Sequence, residues 1–512
     1  MSVARLFQRG ASLYPDRTCL VDGAINRSYR EVDRFSNALA AQLQRASLGG
    51  AHCAVYSANS SLAFECILGI FRAGAVFVPV NSKNHINDNV VLISNFDVDV
   101  LFYDARFSAE VDIVRKNCPR IRTFVCMTGA GPIGTSLQDW IEDPAGVPCD
   151  VEDDQRIVSI YATGGTTGLP KGVTFTARTW EAMAANYFPH LPREGRSTYL
   201  IVSPLTHAAG TIGLLMLADG ATLIVHDGFN AAKILDEIEQ SRVTHLYLPP
   251  TAIYMLLNEP GLRERDLSSL QSFIYTSAPM SVDRLKECLE VFGPVMTQFW
   301  GQTEAPIFCT CLSPEMHRTG DDTAGRLASC GQRTMFTEVA VMDSDGRLLP
   351  SGERGELVVR GDLVMAGYYK NPEATAEAGR FGWHHTGDVG YVDADGFVYI
   401  VDRLKDMIIT GGFNVYPAEV EAVLMQHPAI QDCAVIGTPD DKWGEQVTGI
   451  AELRSGVQAD ADEIVAFCKA RLGSVKTPKT VEIVDELPRT SVGKIAKKEI
   501  RARYWHGTGR RI

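Results

Sequence analysis

Within ten residues, Thr163-Gly164-Gly165-Thr166-Thr167-Gly168-Leu169-Pro170-Lys171-Gly172 holds four glycines, three threonines and one lysine. Glycines let a backbone turn tightly and bring its N–H groups against a ligand. The threonine hydroxyls add donors and Lys171 adds a positive charge, a combination that suits a triphosphate. The run is not a P-loop. Lys171 follows Pro170 and precedes Gly172, so the Gly-Lys-Ser/Thr core that opens a helix is missing. A ligand-free Gly/Thr-rich hairpin would share this composition, so the rest of the chain has to decide. Downstream, Glu304 closes the run Val295-Met296-Thr297-Gln298-Phe299-Trp300-Gly301-Gln302-Thr303-Glu304. Its carboxylate is a hard oxygen ligand for Mg2+ shared with phosphates. Asp388, in Thr386-Gly387-Asp388, can accept from both hydroxyls of a ribose.

These residues need elements to hold them. Apolar runs at 157–161 and 173–176 flank the glycine loop, and the spacing predicts strand–loop–strand. Upstream, 52–56, 76–80 and 98–102 read as strands, and 61–73 has helical spacing. Alternation of this kind predicts a parallel sheet covered by helices. The acidic, Gly/Pro-bearing stretch 129–154 is expected to be a surface connection. Ser203-Pro204-Leu205-Thr206-His207-Ala208-Ala209-Gly210 suggests a turn at a pocket floor, with small residues leaving room for a substrate. Strands are expected at 243–248 and 271–275, with Ser277-Ala278-Pro279 as a turn after the second, and Asp388 is expected at a strand start. Further on, an apolar strand ends in the charged run Asp402-Arg403-Leu404-Lys405-Asp406, a poor candidate for burial and an expected domain boundary. Gly411-Gly412-Phe413-Asn414-Val415-Tyr416-Pro417 reads as a Gly turn, a short strand and a helix with Pro417 near its first turn.

The stretch from Tyr161 to Val173 closely resembles the phosphate-binding signature of the adenylate-forming superfamily, which includes acyl- and aryl-CoA synthetases, peptide-synthetase adenylation domains and beetle luciferases. The later stretches resemble that family's further motifs, in its order, through Leu487-Pro488-Arg489-Thr490-Ser491-Val492-Gly493-Lys494. The resemblance implies ATP or AMP contacts at Thr163, Gly164, Gly165, Thr166, Thr167, Lys171, Ser277, Ala278, Pro279, Gln298, Phe299, Trp300, Gly301, Gln302, Thr303, Asp388, Arg403 and Lys494. Trp300 stands at the family's tyrosine position, and Glu304 inherits the metal. His207 is expected beside the acyl carboxylate, in a pocket with Ala208, Ala209, Ser277, Gly301 and Ile307. Lys494 matches the catalytic lysine, assisted by Glu304, Lys171 and His207. Lys405 stands at the hinge position, and its Arg-Leu-Lys context looks more like coumarate ligases and luciferases than acetate activators. Gly411, Gly412 and Phe413 match the pantetheine path, and Trp443 is an aromatic platform for the CoA nucleotide.

The implied fold is α/β: a large N-terminal domain of helix-covered sheets over 1–402, a hinge at 403–406, and a small mobile C-terminal α+β lid over 407–512. The implied reaction couples a small carboxylic acid to a thiol through an acyl-adenylate, with ATP, Mg2+ and coenzyme A. The rivals are an oxidative luciferase, a stand-alone adenylation enzyme that loads a carrier protein, and a non-catalytic nucleotide-binding module. Composition fits this frame. At 512 residues the chain is too long for one ordinary core, and its net charge of −13 argues against general nucleic-acid binding. The scattered cysteines contain no C-x-x-C pair, which points to reduced thiols and a cytoplasmic setting. No run is apolar enough for a membrane span.

Overall fold

The computed structural model describes residues 3–142, 155–163, 170–192, 195–278, 280–318, 324–440, 442–489 and 495–505. Of the expected site residues, Gly164, Gly165, Thr166, Thr167, Pro279 and Lys494 lie outside the described residues. The chain forms two compact units, Met1–Val339 with Val359–His384, and Ala340–Val358 with His385–Ile512.

The first unit is built on two large sheets. In the eight-stranded sheet, Val76–Asn81, His52–Ser57, Val100–Tyr103 and Thr123–Cys126 are parallel neighbours. Val76–Asn81 is buried along its whole length, as a β-branched run in the middle of a parallel sheet should be. The strand expected from Val98 begins at Val100, since the Val98 N–H is taken by Ile93 O at 3.2 Å at the end of the preceding helix. Ile157–Thr163 and Lys171–Thr176 pair antiparallel, the expected strand–loop–strand. Gly367–Tyr368 then adds antiparallel to Lys171–Thr176 and closes that edge.

The nine-stranded sheet carries the parallel series Met296–Trp300, Ser272–Tyr275, His245–Tyr247, Thr198–Ile201, Thr222–Val225 and Thr18–Asp22. Leu200, Leu246, Phe273 and Met296 pack in one core cluster with Ile234 and Ile238 of the helix Ala231–Gln240 and Leu285 of Val282–Phe292. The chain leaves Thr198–Ile201 toward one neighbour and returns on its other side. Thr198–Ile201 is therefore a topological switch point, where open α/β sheets bind ligands outside the carboxyl ends of the strands.

The second unit holds most of a four-stranded sheet, Glu338–Met342, Gly355–Arg360, His384–Val392 and Val398–Arg403, and a smaller five-stranded one. Ile408, Val415, Val420, Leu424, Val435 and Val447 form the core under the latter. Pro417 opens the helix Pro417–Leu424, as expected. Asp388 corrects the sequence reading. It does not start a strand but lies in the middle of His384–Val392, opposite Arg403. Gly387, at φ 68°, absorbs the turn-like backbone inside the strand.

The described cysteines are buried, and burial pushes the Cys288 thiol up to about 12 and that of Cys468 to about 11. No helix among the described residues is long and apolar enough to cross a membrane.

Candidate active site

The hairpin sets Thr163 opposite Lys171 at the mouth of the glycine loop. The Lys171 ammonium lies 4.7 Å from the centre of the Tyr368 ring, a cation–π distance. The Tyr368 hydroxyl donates to Glu304 Oε1 at 2.8 Å. Burial, and then the Glu304 carboxylate, push the Tyr368 phenol up, so it stays a donor. A continuous link thus runs from the lysine of the phosphate loop to the carboxylate expected to hold the metal. Sequence reasoning missed Tyr368. Its place is set by the ladder, in which Tyr368 pairs with Val173 and Gly367 with Thr174, and no local pattern announces that pairing.

Glu304 sits on a tight loop that leaves the carboxyl end of Met296–Trp300. Gln302 N donates to Ala305 O at 3.0 Å, and Cys309 N to Trp300 O at 2.8 Å. A Cβ on Gly301 would stand 2.5 Å from Ile307 N and 2.6 Å from Ala305 O, so the loop closes this tightly only over glycine. Ile307 has φ 58°, a left-handed conformation that costs a β-branched residue roughly 1–3 kcal/mol. The Glu304 backbone is fixed as well, its carbonyl accepting from Met365 N at 2.8 Å, and its side chain is buried. Thr303 lies on the same loop, with no helix following it.

Gln298 is oriented from behind. The Tyr275 hydroxyl is 3.0 Å from both Gln298 Oε1 and His317 Nε2. Burial pulls His317 down to about 4, so it is neutral, and its Nδ1 must donate to Ser313 O at 2.8 Å. Tyr275 then has one proton for two acceptors. The network is satisfied when Tyr275 donates to His317 and the Gln298 amide turns its nitrogen toward the phenol.

The expected acyl residues occupy the neighbouring strand ends. His207 is exposed and immediately precedes the helix Ala208–Met216, with Nδ1 2.9 Å from Thr206 Oγ1. The Tyr199 hydroxyl donates to Ala209 O at 3.3 Å. Ser277, at φ 78°, is 3.3 Å from the Tyr247 hydroxyl. Tyr187 packs on Phe299 and Phe308, with ring centres 6.0 and 5.1 Å away, and all three are buried. His207, Ser277 and Gly301 thus follow the carboxyl ends of three parallel strands around the switch point. A cavity of about 1420 Å³ lies at the opposite strand ends, lined by Thr198, Thr222, Thr244 and Gln271, and includes none of the expected site residues.

In the second unit, Asp388 is buried and its Oδ1 is 2.6 Å from Arg403 Nε. The two residues expected at the ribose therefore face each other across a strand pair. Gly411 and Gly412, at φ 56° and 83°, make the two-residue turn between Ile408–Thr410 and Phe413–Val415, the backbone that favours Gly-Gly in a hairpin. The Trp443 ring lies so close to Gly411 that a Cβ there would be 2.6 Å from it. Phe413 and Trp443 are 60% and 43% exposed, large apolar side chains at the surface of the second unit. Lys405 belongs to the short turn Leu404–Asp406. Asp402, just before it, accepts from Ala418 N at 2.7 Å, and Asp406 pairs with Arg501 at 2.9 Å.

For Mg2+ the donor set among the described residues is a single hard carboxylate, Glu304. Among the described residues there is no cluster of three or more metal-ligating side chains. A Mg2+ shared with substrate phosphates needs only one or two carboxylates, so Glu304 fits.

Comparison with known proteins bears on the whole chain. The family description "AMP-binding enzyme" matches residues 7–369, and "AMP-binding enzyme C-terminal domain" matches 419–494. A feruloyl-CoA synthase from Amycolatopsis is 35% identical over 97% of this chain and 98% of its own. The medium/long-chain-fatty-acid–CoA ligase FadD8 of Mycobacterium tuberculosis is 42% identical over 72% of this chain, a match that spans 64% of FadD8. The crystal structure of ATP-bound MatB from Rhodopseudomonas palustris superposes with a TM-score of 0.89 at 27% identity, covering 99% of each chain.

Proposed function

Since the chain belongs to the AMP-binding, adenylate-forming enzymes and is an acyl/aryl-CoA ligase of that family, we propose that it activates an apolar or aromatic carboxylic acid of some bulk through the residues assembled above. The observation that carries this reading is the link Lys171–Tyr368–Glu304. It ties the positive charge of the phosphate loop to the metal carboxylate in one rigid piece. The small residues Ala208 and Ala209 that follow His207, together with relatives named for ferulate and for fatty acids, support the choice of acid.

In the first half-reaction the acid's carboxylate attacks the α-phosphorus of ATP and pyrophosphate leaves. Two anions must approach, so positioning and electrostatics do the catalysis. Lys171 and the hydroxyl of Thr163 hold phosphate oxygens, and Glu304, with one oxygen fixed by Tyr368, would hold Mg2+. The metal, when bound, neutralises charge on the triphosphate. Trp300 stacks on the purine and Asp388 and Arg403 take the ribose. Lys494 bridges the carboxylate and the α-phosphate, and His207 sits beside the acid. In the second half a thiol displaces AMP. CoA is the proposed thiol, reaching the site past Gly411, Gly412 and Phe413, with its nucleotide on Trp443. Residues 403–406 are proposed as the hinge that exchanges the two surfaces.

The test is pyrophosphate release from ATP with a panel of short, medium, branched, aromatic and polycyclic acids, followed by thioester formation with CoA or with a carrier-protein thiol. Aryl or medium-chain acids should give the highest kcat/KM, with CoA as acceptor. A preference for acetate overturns the assignment of the acid, and faster transfer to the carrier overturns the assignment of the thiol.

A further inference from the structure

His207 is an exposed side chain on a turn, yet its proposed task requires a fixed position. The turn is held from another sheet. Asn59 lies between the strand His52–Ser57 and the helix Ser61–Arg72 and is buried. Its Nδ2 donates to Ser203 O at 2.9 Å and to His226 O at 3.1 Å, and its Oδ1 accepts from Leu205 N at 2.9 Å. One amide thus grips both residues that flank Pro204. The carbonyl of Pro204 in turn accepts the His207 N–H at 3.1 Å.

The turn has no slack on its other side. Gly210 packs against the Leu205 carbonyl so closely that a Cβ would stand 1.9 Å from that oxygen. The His207 carbonyl accepts from Thr211 N at 3.3 Å and so starts the helix Ala208–Met216. The third bond of Asn59 reaches the end of Thr222–Val225, where His226 N is bonded to Ile201 O at 2.9 Å. The grip needs two donor hydrogens and an acceptor on one short side chain. Asparagine supplies all three, whereas aspartate, when ionised, can only accept.

We propose that Asn59 is the residue that positions His207 for the acid's carboxylate, acting through the Ser203–Pro204–Leu205 turn. This rests on the reading of His207 given above. Asn59 joins the carboxyl end of a strand in one sheet to those of two strands in the other, and so makes the acid site depend on the registration of both sheets.

The test compares N59A, N59D, H207A and the double variant N59A/H207A. A displaced catalytic group costs between ~10- and ~100-fold. N59A and N59D should therefore raise KM for the acid or lower the adenylation rate by that factor, with KM for ATP unchanged. The double variant should be no worse than H207A, because the two residues act in series. Defects that multiply in the double variant, or that fall equally on acid and ATP, overturn the proposal. A second readout needs no turnover. The His207 ring signals in the NMR spectrum, assigned by their loss in H207A, should move or broaden in N59D, whose side chain has nearly the same shape as asparagine. An unmoved ring overturns the proposal whichever acid the enzyme uses. Absence of AMP with every acid would instead strike the function proposed above and leave the ring test standing.

Discussion

A carboxylate that binds a metal gains from having one oxygen spoken for, since its orientation is then fixed before the ligand arrives. Tyr368 does this for Glu304. Replacing Tyr368 with phenylalanine removes a hydrogen bond to a charged group, a loss on the order of 2 kcal/mol. Y368F should raise the Mg2+ concentration needed for half-maximal pyrophosphate release, with the CoA step unchanged, as titration of each half-reaction will read. The proposed division of labour gives a second prediction. K494A should abolish carboxylate-dependent ATP–pyrophosphate exchange yet spare thioester formation from a supplied acyl-adenylate, and equal loss of both refutes it. Glu304, Lys171 and Asp388 could be nominated from the sequence because each lies in a short run of recognisable residue types. Tyr368 and Asn59 were not. Tyr368 meets Glu304 across 64 residues of sequence and Asn59 meets Leu205 across 146, and hydrogen bonds of that span leave no periodic trace in a single chain.

At the level of elements, alternating strand and helix patterns gave the parallel sheets, and the run 157–176 gave its hairpin. Asp388 was misplaced because Gly-Asp is ordinarily a turn signal, and pairing on both sides, with Gly355–Arg360 and Val398–Arg403, keeps it inside a strand. The loop after Met296–Trp300 makes a sharp prediction. G301A pushes a methyl group onto the backbone of Ile307 and Ala305, neither of which can yield as a side-chain end could. It should displace Thr303 and Glu304 and reduce adenylation by about 100-fold, while thioester formation from supplied acyl-adenylate falls less. For the proposed hinge, Lys405→Pro fixes one backbone angle. Exchange should persist and the thiol step should slow; unchanged overall turnover removes the hinge from the account.

Across the molecule, buried ionisable groups oppose one another. Burial raises Glu65 to about 7, partly offset by Arg27 at 3.4 Å, and raises Asp402 to about 6. These carboxyls hold their protons more tightly when folded. Their contribution to stability is complete below the unfolded value near ~4 and is lost as pH rises through 6 to 7. His245 and His317 are lowered to about 4 by burial. Their contribution is complete above ~6.5 and is lost as pH falls toward 4. The two trends cancel in part between pH 5 and 7. E65Q removes one side of the balance. It should melt above the wild type at pH 8, by on the order of 2 °C or more, and lose that advantage by pH 5. A constant difference at all pH values would show that Glu65 does not titrate there.

The hidden thiols have a practical corollary. An aromatic disulfide that turns yellow on meeting a mercaptan will report the coenzyme A left in aliquots drawn from a stopped reaction, with little background from the described cysteines, which are buried and, at Cys288 and Cys468, held far from the thiolate form at neutral pH. Incubated with the enzyme alone, the same reagent will reach those buried cysteines only as the protein comes apart.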